Sequence, residues 1–163
     1  MFSVEKLDKS NSKEISEVKE VELTSTYDVL KEKDLAYEIN ENPVSNFLVL
    51  KNSNNNVIGY IDYWITFDSS TIFKIVIKDT YRNKGLGYFL LNETIEILKK
   101  YEDKEDKTKL LYITLEVRKS NLSAISLYHK CGFKEITIKR GYYEDGEDAI
   151  YMVKDLNEEY GTK

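Results

Sequence analysis

The chain has 163 residues, 41% of them hydrophobic and 33% charged, with a net charge of −5 at neutral pH. That length supports one domain with a sizeable core, and a mixed, net negative balance argues against a broad nucleic-acid footprint. A single cysteine (Cys131) and a single histidine (His129) exclude a disulfide framework and argue against a Cys- or His-built metal site. No apolar run approaches the roughly 20 residues of a membrane span.

In chain order, FSVEKL reads as a first strand. The opening MFSVEKLDKS lacks the apolar core of a signal peptide, so a cytoplasmic protein is expected. Residues 10–41 are polar with scattered apolar positions (Ile15, Val18, Val21, Leu23, Val29, Leu30, Leu35, Ile39) and read as one or two helices. Residues 45–51 and 57–67 alternate and are rich in β-branched and aromatic residues, with Asn52 to Asn56 as the turn between them. TIFKIVIK (71–78) is a further strand. Gly85 to Tyr101 carries Leu86, Phe89, Leu90, Ile97, Leu98 and Tyr101 at helical spacing. The charge run over 99–109 reads as a solvated helix end and loop. Residues 110–117 form a strand, and 121–131 a short helix with Asn121 as N-cap and Gly132 as its stop. Residues 134–139 and 149–153 are two final strands around a polar loop. The expected class is α/β (α+β), with antiparallel hairpins and a strand–helix–strand crossover in one domain spanning 1–163.

Arg82-Asn83-Lys84-Gly85-Leu86-Gly87 sits between the strand at 71–78 and the long helix. It is not a Walker A loop, because no Lys-Ser/Thr follows the second glycine. Nor is it a dinucleotide fingerprint, since Leu90 stands where that motif needs a glycine or alanine. Two readings remain. One is a plain strand-to-helix turn. The other is a pyrophosphate cradle, with backbone N–H groups from Asn83 to Tyr88 and the helix dipole facing the anion, and Arg82 and Lys84 adding charge.

Arg-x-x-Gly-x-Gly in this context resembles the acetyl-coenzyme A motif of the GCN5-related N-acetyltransferases (GNATs). LEVRKSNLSAISLYHKCGF (115–133) and IKRGYYEDGEDAIYM (138–152) are similar to the branch that acetylates the N-terminal alanine of bacterial ribosomal proteins. The resemblance runs from about Phe47 to Leu156. It implies a mixed sheet of about seven strands with flanking helices, splayed at the cofactor-binding strands. It implies acetyl-coenzyme A (acetyl-CoA) as cosubstrate and no metal. The acceptor implied is a protein or peptide N-terminus, such as that of a ribosomal protein, with no direct nucleic-acid or membrane partner.

An α-amine attacking a thioester must lose a proton, and the leaving thiolate must gain one. The resemblance assigns the base role to Glu116 and the acid role to Tyr128, twelve positions later. From the residues alone, Glu116 reads first as a strand-end glutamate paired with Arg118, and the alternative for Tyr128 is a packed helix tyrosine. The resemblance gives cofactor contacts to Asn121 as well as the motif. The backbone of Ile75, Val76 and Ile77 is assigned to the thioester carbonyl and the pantetheine amides. It places Tyr142 and Tyr143 in a substrate-gripping loop whose acidic DGED run would attract a positive terminus. Trp64 is either core or a wall of the peptide groove. His129 is expected to face solvent, and Cys131 to be a small buried residue.

Two features depart from that branch. An aromatic–proline–tryptophan–serine cluster near the first helices is missing from VKEVELTSTYDVLKEKDLAYE, and Asp62 stands where relatives often carry glycine. Both concern the acceptor rather than the cofactor. The alternatives kept are the same chemistry on a lysine or a small amine, and a non-catalytic acyl-CoA-binding module.

Overall fold

The computed structural model describes residues 1–157; the last six residues of the expected 1–163 domain lie outside the described residues. The elements are β1 (Ser3–Lys6), α1 (Ser12–Leu23), α2 (Glu32–Asn40), β2 (Ser45–Lys51), β3 (Val57–Thr66), β4 (Ser69–Ile77), α3 (Leu86–Lys99), β5 (Tyr112–Arg118), α4 (Leu122–Lys130), β6 (Lys134–Lys139) and β7 (Ala149–Asp155). A short 3₁₀ turn covers Asp79–Tyr81. The strands form one mixed seven-stranded sheet in the order β1-β2-β3-β4-β5-β7-β6. The chain divides into two compact units, Met1–Ile65 with Ile72–Ile95, and Thr66–Thr71 with the residues from Glu96 onward.

In the first unit, β1, β2 and β3 pair antiparallel, from Ser3 opposite Lys51 to Ser45 opposite Trp64. Asn52 closes the β2–β3 hairpin, its Oδ1 accepting from the N–H groups of Asn54 and Asn56 at 3.0 Å each. Side-chain capping of this kind is why asparagine clusters favour turns. Asn11 caps α1 in the same way, accepting from Lys13 and Glu14. The helices bury Val18, Val21, Leu35 and Ile39 against Phe47, Val49, Tyr60 and Val76. Gly59 lets β4 approach β3, since a Cβ there would lie 2.9 Å from Ile77 Cδ1 and 3.1 Å from the Val76 carbonyl.

This unit also buries charge. Glu22, 1% exposed, accepts from Tyr60 Oη at 2.6 Å and the Leu30 N–H at 2.7 Å, and pairs with Lys74 at 3.1 Å. It thereby ties the end of α1, the α1–α2 connection, β3 and β4 together. Lys51 bridges Glu14 at 3.0 Å and Glu5 at 3.2 Å.

In the second unit the start of β4 runs parallel to β5, Ser69–Thr71 beside Tyr112–Thr114. β7 lies antiparallel between β5 and β6. β5 alternates cleanly, with Ile113, Leu115 and Val117 buried and Thr114, Glu116 and Arg118 on the half-exposed face. That period of two decides which face Glu116 shares. Residues 100–109 form a largely exposed loop closed by a bridge between Glu102 and Lys109.

The expected elements are present, with shifted ends. Residues 10–41 form two helices, with Asp28 in a left-handed conformation (φ 53°) in the connection between them. α3 starts at Leu86 because Gly85, at φ +76°, cannot belong to it. β7 continues two residues beyond the expected end, to Asp155. The turn at Asp79–Tyr81 was not expected, as three polar or aromatic residues carry no periodic signal.

Candidate active site

The glycine-containing loop belongs to the first unit. Asn83 (φ 63°) and Gly85 (φ +76°) both take left-handed backbone angles, and the chain then enters α3. A Cβ at Gly85 would meet nothing within 4 Å, so glycine is required there by its backbone angle and not by crowding. Phe89 donates to the Gly85 carbonyl at 3.1 Å, which marks the first intrahelical bond. The N–H groups of Leu86, Gly87 and Tyr88 therefore sit in the first turn, where no carbonyl of the same helix can receive them. Lys84 is exposed, its Nζ 5.3 Å from the centre of the Tyr81 ring. Arg82 braces the loop from below. Its guanidinium donates to the carbonyls of Ile77 and Thr24 and to the Thr26 hydroxyl, joining the end of β4 to the α1–α2 connection. Val76 is buried in the core, with Ile75 and Ile77 half-buried beside it.

Trp64 lies at the end of β3. Its ring stacks on Phe73 at 4.7 Å, and its indole N–H donates to Glu38 at 2.8 Å. Asp62, two residues earlier, is 1% exposed and accepts from the Ser45 hydroxyl at 2.6 Å. Its other oxygen has no hydrogen-bond partner. Burial first, and then the nearby Glu38 carboxylate, push the Asp62 carboxyl up to about 9. Asp62 is therefore a neutral acid at ordinary pH, and the position that departs from the family pattern is a buried carboxyl pair.

Glu116, Tyr128, Asn121, Tyr142 and Tyr143 belong to the second unit. The Glu116 side chain is 21% exposed and pairs with Lys139 of β6, not with Arg118. Arg118 is held elsewhere, between Asp145 at 2.8 Å and Glu147 at 2.9 Å, with the Tyr143 ring 4.1 Å away. Asp148 accepts from the Gly141 N–H at 2.9 Å and pairs with Arg140 at 3.2 Å. The acidic run of the hairpin loop is thus engaged in shaping its own loop, and it holds Tyr143 in place through Arg118. A backbone hydrogen bond from Glu147, and then Arg118, hold the Asp145 carboxyl below its usual range.

Tyr128 on α4 is 7% exposed, its ring tilted against Phe133 at 5.7 Å. Burial, then the neighbouring Tyr143 and Cys131, push its phenol above its ordinary value, so it keeps its proton. Asn121 caps α4, its side chain accepting from the Ala124 N–H at 3.3 Å. Cys131 is buried and its thiol is raised to about 11, which leaves it inert as a nucleophile. His129 is half-exposed and faces Glu135 at 3.0 Å. Among the described residues no cluster of His, Cys, Asp or Glu could hold a metal, and no helix is long and apolar enough to cross a membrane.

Residues 13–133 match the model of the acetyltransferase (GNAT) family. The chain belongs to the GNAT acetyltransferases. Acetyl-CoA is the acetyl donor of that family. This acetyltransferase is 34% identical over 146 residues to a candidate ribosomal protein bS18-alanine N-acetyltransferase of Bacillus subtilis, covering 89% of this chain and 91% of the relative. It is 38% identical over 102 residues to the Escherichia coli ribosomal protein bS18-alanine N-acetyltransferase, covering 61% of this chain and 64% of that one. The crystal structure of the ribosomal-protein-S18-alanine N-acetyltransferase from Escherichia coli superposes with a TM-score of 0.81 at 27% identity, covering 100% of this chain and 99% of the other.

Two residues of this acetyltransferase were not singled out from the sequence: Lys139 and Tyr151, which meet Glu116 on one sheet face. Lys139 lies inside the quoted IKRGYY segment, but a lysine on an edge strand reads as solubilising charge. Only the strand register puts it beside Glu116.

Proposed function

We propose that this acetyltransferase moves the acetyl group of acetyl-CoA to the N-terminal α-amine of a protein, with a ribosomal protein beginning in alanine as the first acceptor to test. The observation that carries this reading is the contrast between the surroundings of Glu116 and Tyr128. One is a solvent-reachable carboxylate and the other a buried phenol that holds its proton.

In the proposed reaction the neutral α-amine attacks the thioester carbonyl. The nitrogen–carbon bond forms, the carbon–sulfur bond breaks, and Glu116 takes the amine proton, directly or through one water. Tyr128 gives its proton to the departing thiolate. Leu86, Gly87 and Tyr88, with Asn83 and Lys84, receive the pyrophosphate through first-turn N–H groups and one ammonium. Arg82 is assigned to hold that loop in shape. The main chain at Ile75, Val76 and Ile77 is assigned to the pantetheine arm and the carbonyl oxygen, and Asn121 to a cofactor contact beside its capping role. Tyr142 and Tyr143 flank the acceptor, and Trp64 remains a candidate for its wall. The family match runs through both compact units, which supports reading them as one catalytic domain. A cytoplasmic setting fits a ribosomal acceptor.

Mass spectrometry of protein N-termini in cells with and without this chain tests the assignment. We expect a small set of N-termini, alanine-initiated ribosomal ones among them, to lose acetylation when the chain is absent. An unchanged N-terminal profile with altered lysine acetylation would overturn it.

A further inference from the structure

Lys139 occupies an unusual position for a lysine on an edge strand. Its Nζ donates to Glu116 Oε2, and it lies 4.7 Å from the centre of the Tyr151 ring and 5.4 Å from that of Tyr142. The three partners come from different segments: Glu116 from β5, Tyr151 from β7 directly opposite it, and Tyr142 from the β6–β7 loop. A carboxylate with two aromatic faces is a general receptor for a primary ammonium. The carboxylate supplies charge and a hydrogen-bond acceptor, and the rings supply cation–π attraction. None of this is specific to a lysine of the same chain.

The site is also reachable. The Lys139 side chain is 40% exposed and that of Glu116 21%, while Tyr142 is 50% exposed. β6 is exposed from Lys134 to Ile138, and Lys139 at its end is half-buried, with the Tyr142 and Tyr151 rings beside its ammonium. A pair this exposed is worth about 0.2–1 kcal/mol, little enough for a ligand to displace.

We propose that the Lys139 ammonium is a placeholder, and that the seat formed by Glu116, Tyr142 and Tyr151 receives the acceptor's own ammonium once Lys139 swings out. The proposal rests on the reading of Glu116 as the base and adds how the acceptor reaches it. The seat also separates amines by acidity. An α-ammonium, with an ordinary pKa near 8, releases its first proton to solvent far more readily than a lysine near 10.4, and the neutral amine then attacks with Glu116 taking the second proton. The hydrogen bond to Glu116 raises Lys139 further still. The tethered lysine therefore fills the seat without becoming a substrate.

The test is calorimetry with coenzyme A present in place of acetyl-CoA, so that nothing reacts. The ligands are a short peptide with a free N-terminal alanine and its N-acetylated twin. Removing the placeholder in Lys139→Met should tighten binding of the free-amine peptide about two- to fivefold, the range set by an exposed pair. Lys139→Arg should behave like the starting protein, and binding of the acetylated twin should be the same in all three. Equal or weaker binding of the free-amine peptide by Lys139→Met would overturn the proposal, as would tighter binding by Lys139→Arg. Glu116→Gln separates this from the base assignment. If it keeps full turnover yet binds the free-amine peptide more weakly, the seat stands and the base role falls. If it loses turnover while Lys139→Met leaves peptide binding unchanged, the base role stands and the seat falls.

Discussion

In the first unit Glu14, Glu22 and Glu38 are between 1% and 7% exposed, and each is fixed by neighbours from other elements. In the second unit Glu116 sits on a half-exposed face and leans on a lysine that is itself open to solvent. The contrast separates charges that hold a frame from a charge left available to a ligand. A buried carboxylate has paid its desolvation cost within the fold, and removing it strands its partners. A half-exposed carboxylate on a flexible partner can exchange that partner with little change to the fold.

Four substitutions probe this contrast. The largest effect is expected at Glu22. Glu22→Ala leaves the Tyr60 hydroxyl, the Leu30 N–H and the Lys74 ammonium without their shared acceptor. It should cost roughly 3–5 kcal/mol in denaturant unfolding. Next is Tyr128→Phe, which keeps the buried ring and removes the proton donor. Turnover should fall about 100-fold, while the unfolding free energy stays within about 1 kcal/mol.

Asp62 gives a pH-dependent effect. Its carboxyl titrates at about 9 in the folded chain and near 4 when unfolded. Between those values the folded protein holds a proton that the unfolded chain has released. Its contribution to stability is therefore full below about pH 4 and is lost as the pH rises towards 9. Asp62→Asn keeps the shape without the titration. Its stability relative to the starting protein should improve by at least about 1 kcal/mol between pH 5 and pH 8, one pKa unit being about 1.4 kcal/mol. A difference that does not change with pH would contradict the neutral-acid reading.

The effect on stability is also small at Gly85. Alanine there meets no neighbour, so Gly85→Ala should cost only about 1 kcal/mol for the left-handed backbone. Acetyl-CoA affinity, measured by calorimetry, should drop by more than that strain accounts for. Unchanged affinity would remove the loop from the cofactor site.

Much of this was legible in the sequence because it is written in periodicity and turn chemistry. The alternation of β5 puts Glu116 on the open face, Asn52 announces the hairpin, and Gly85 marks the start of α3. The partners of the charged groups were not legible. Arg118, two residues along the same strand, is the only partner for Glu116 that local sequence offers, as the alternative to the base role, whereas the register of β6 and β7 delivers Lys139. The partners of the DGED run are not legible either: its acids close their own loop around Arg118, Arg140 and the Gly141 N–H. Glu22 and Asp62 carry no local signal of burial, because charged residues are buried only when distant elements supply partners.

Transfer to an α-amine is tested with two peptides. One has a free N-terminal alanine and an internal lysine; the other is the same peptide with its N-terminus blocked. At neutral pH a lysine is roughly 99.9% protonated, while an α-amine is partly neutral. Mass spectrometry after incubation with this acetyltransferase and acetyl-CoA should show one acetyl group, on the alanine nitrogen of the free peptide, and none on the blocked one. Equal acetylation of the lysine in the blocked peptide would contradict the account.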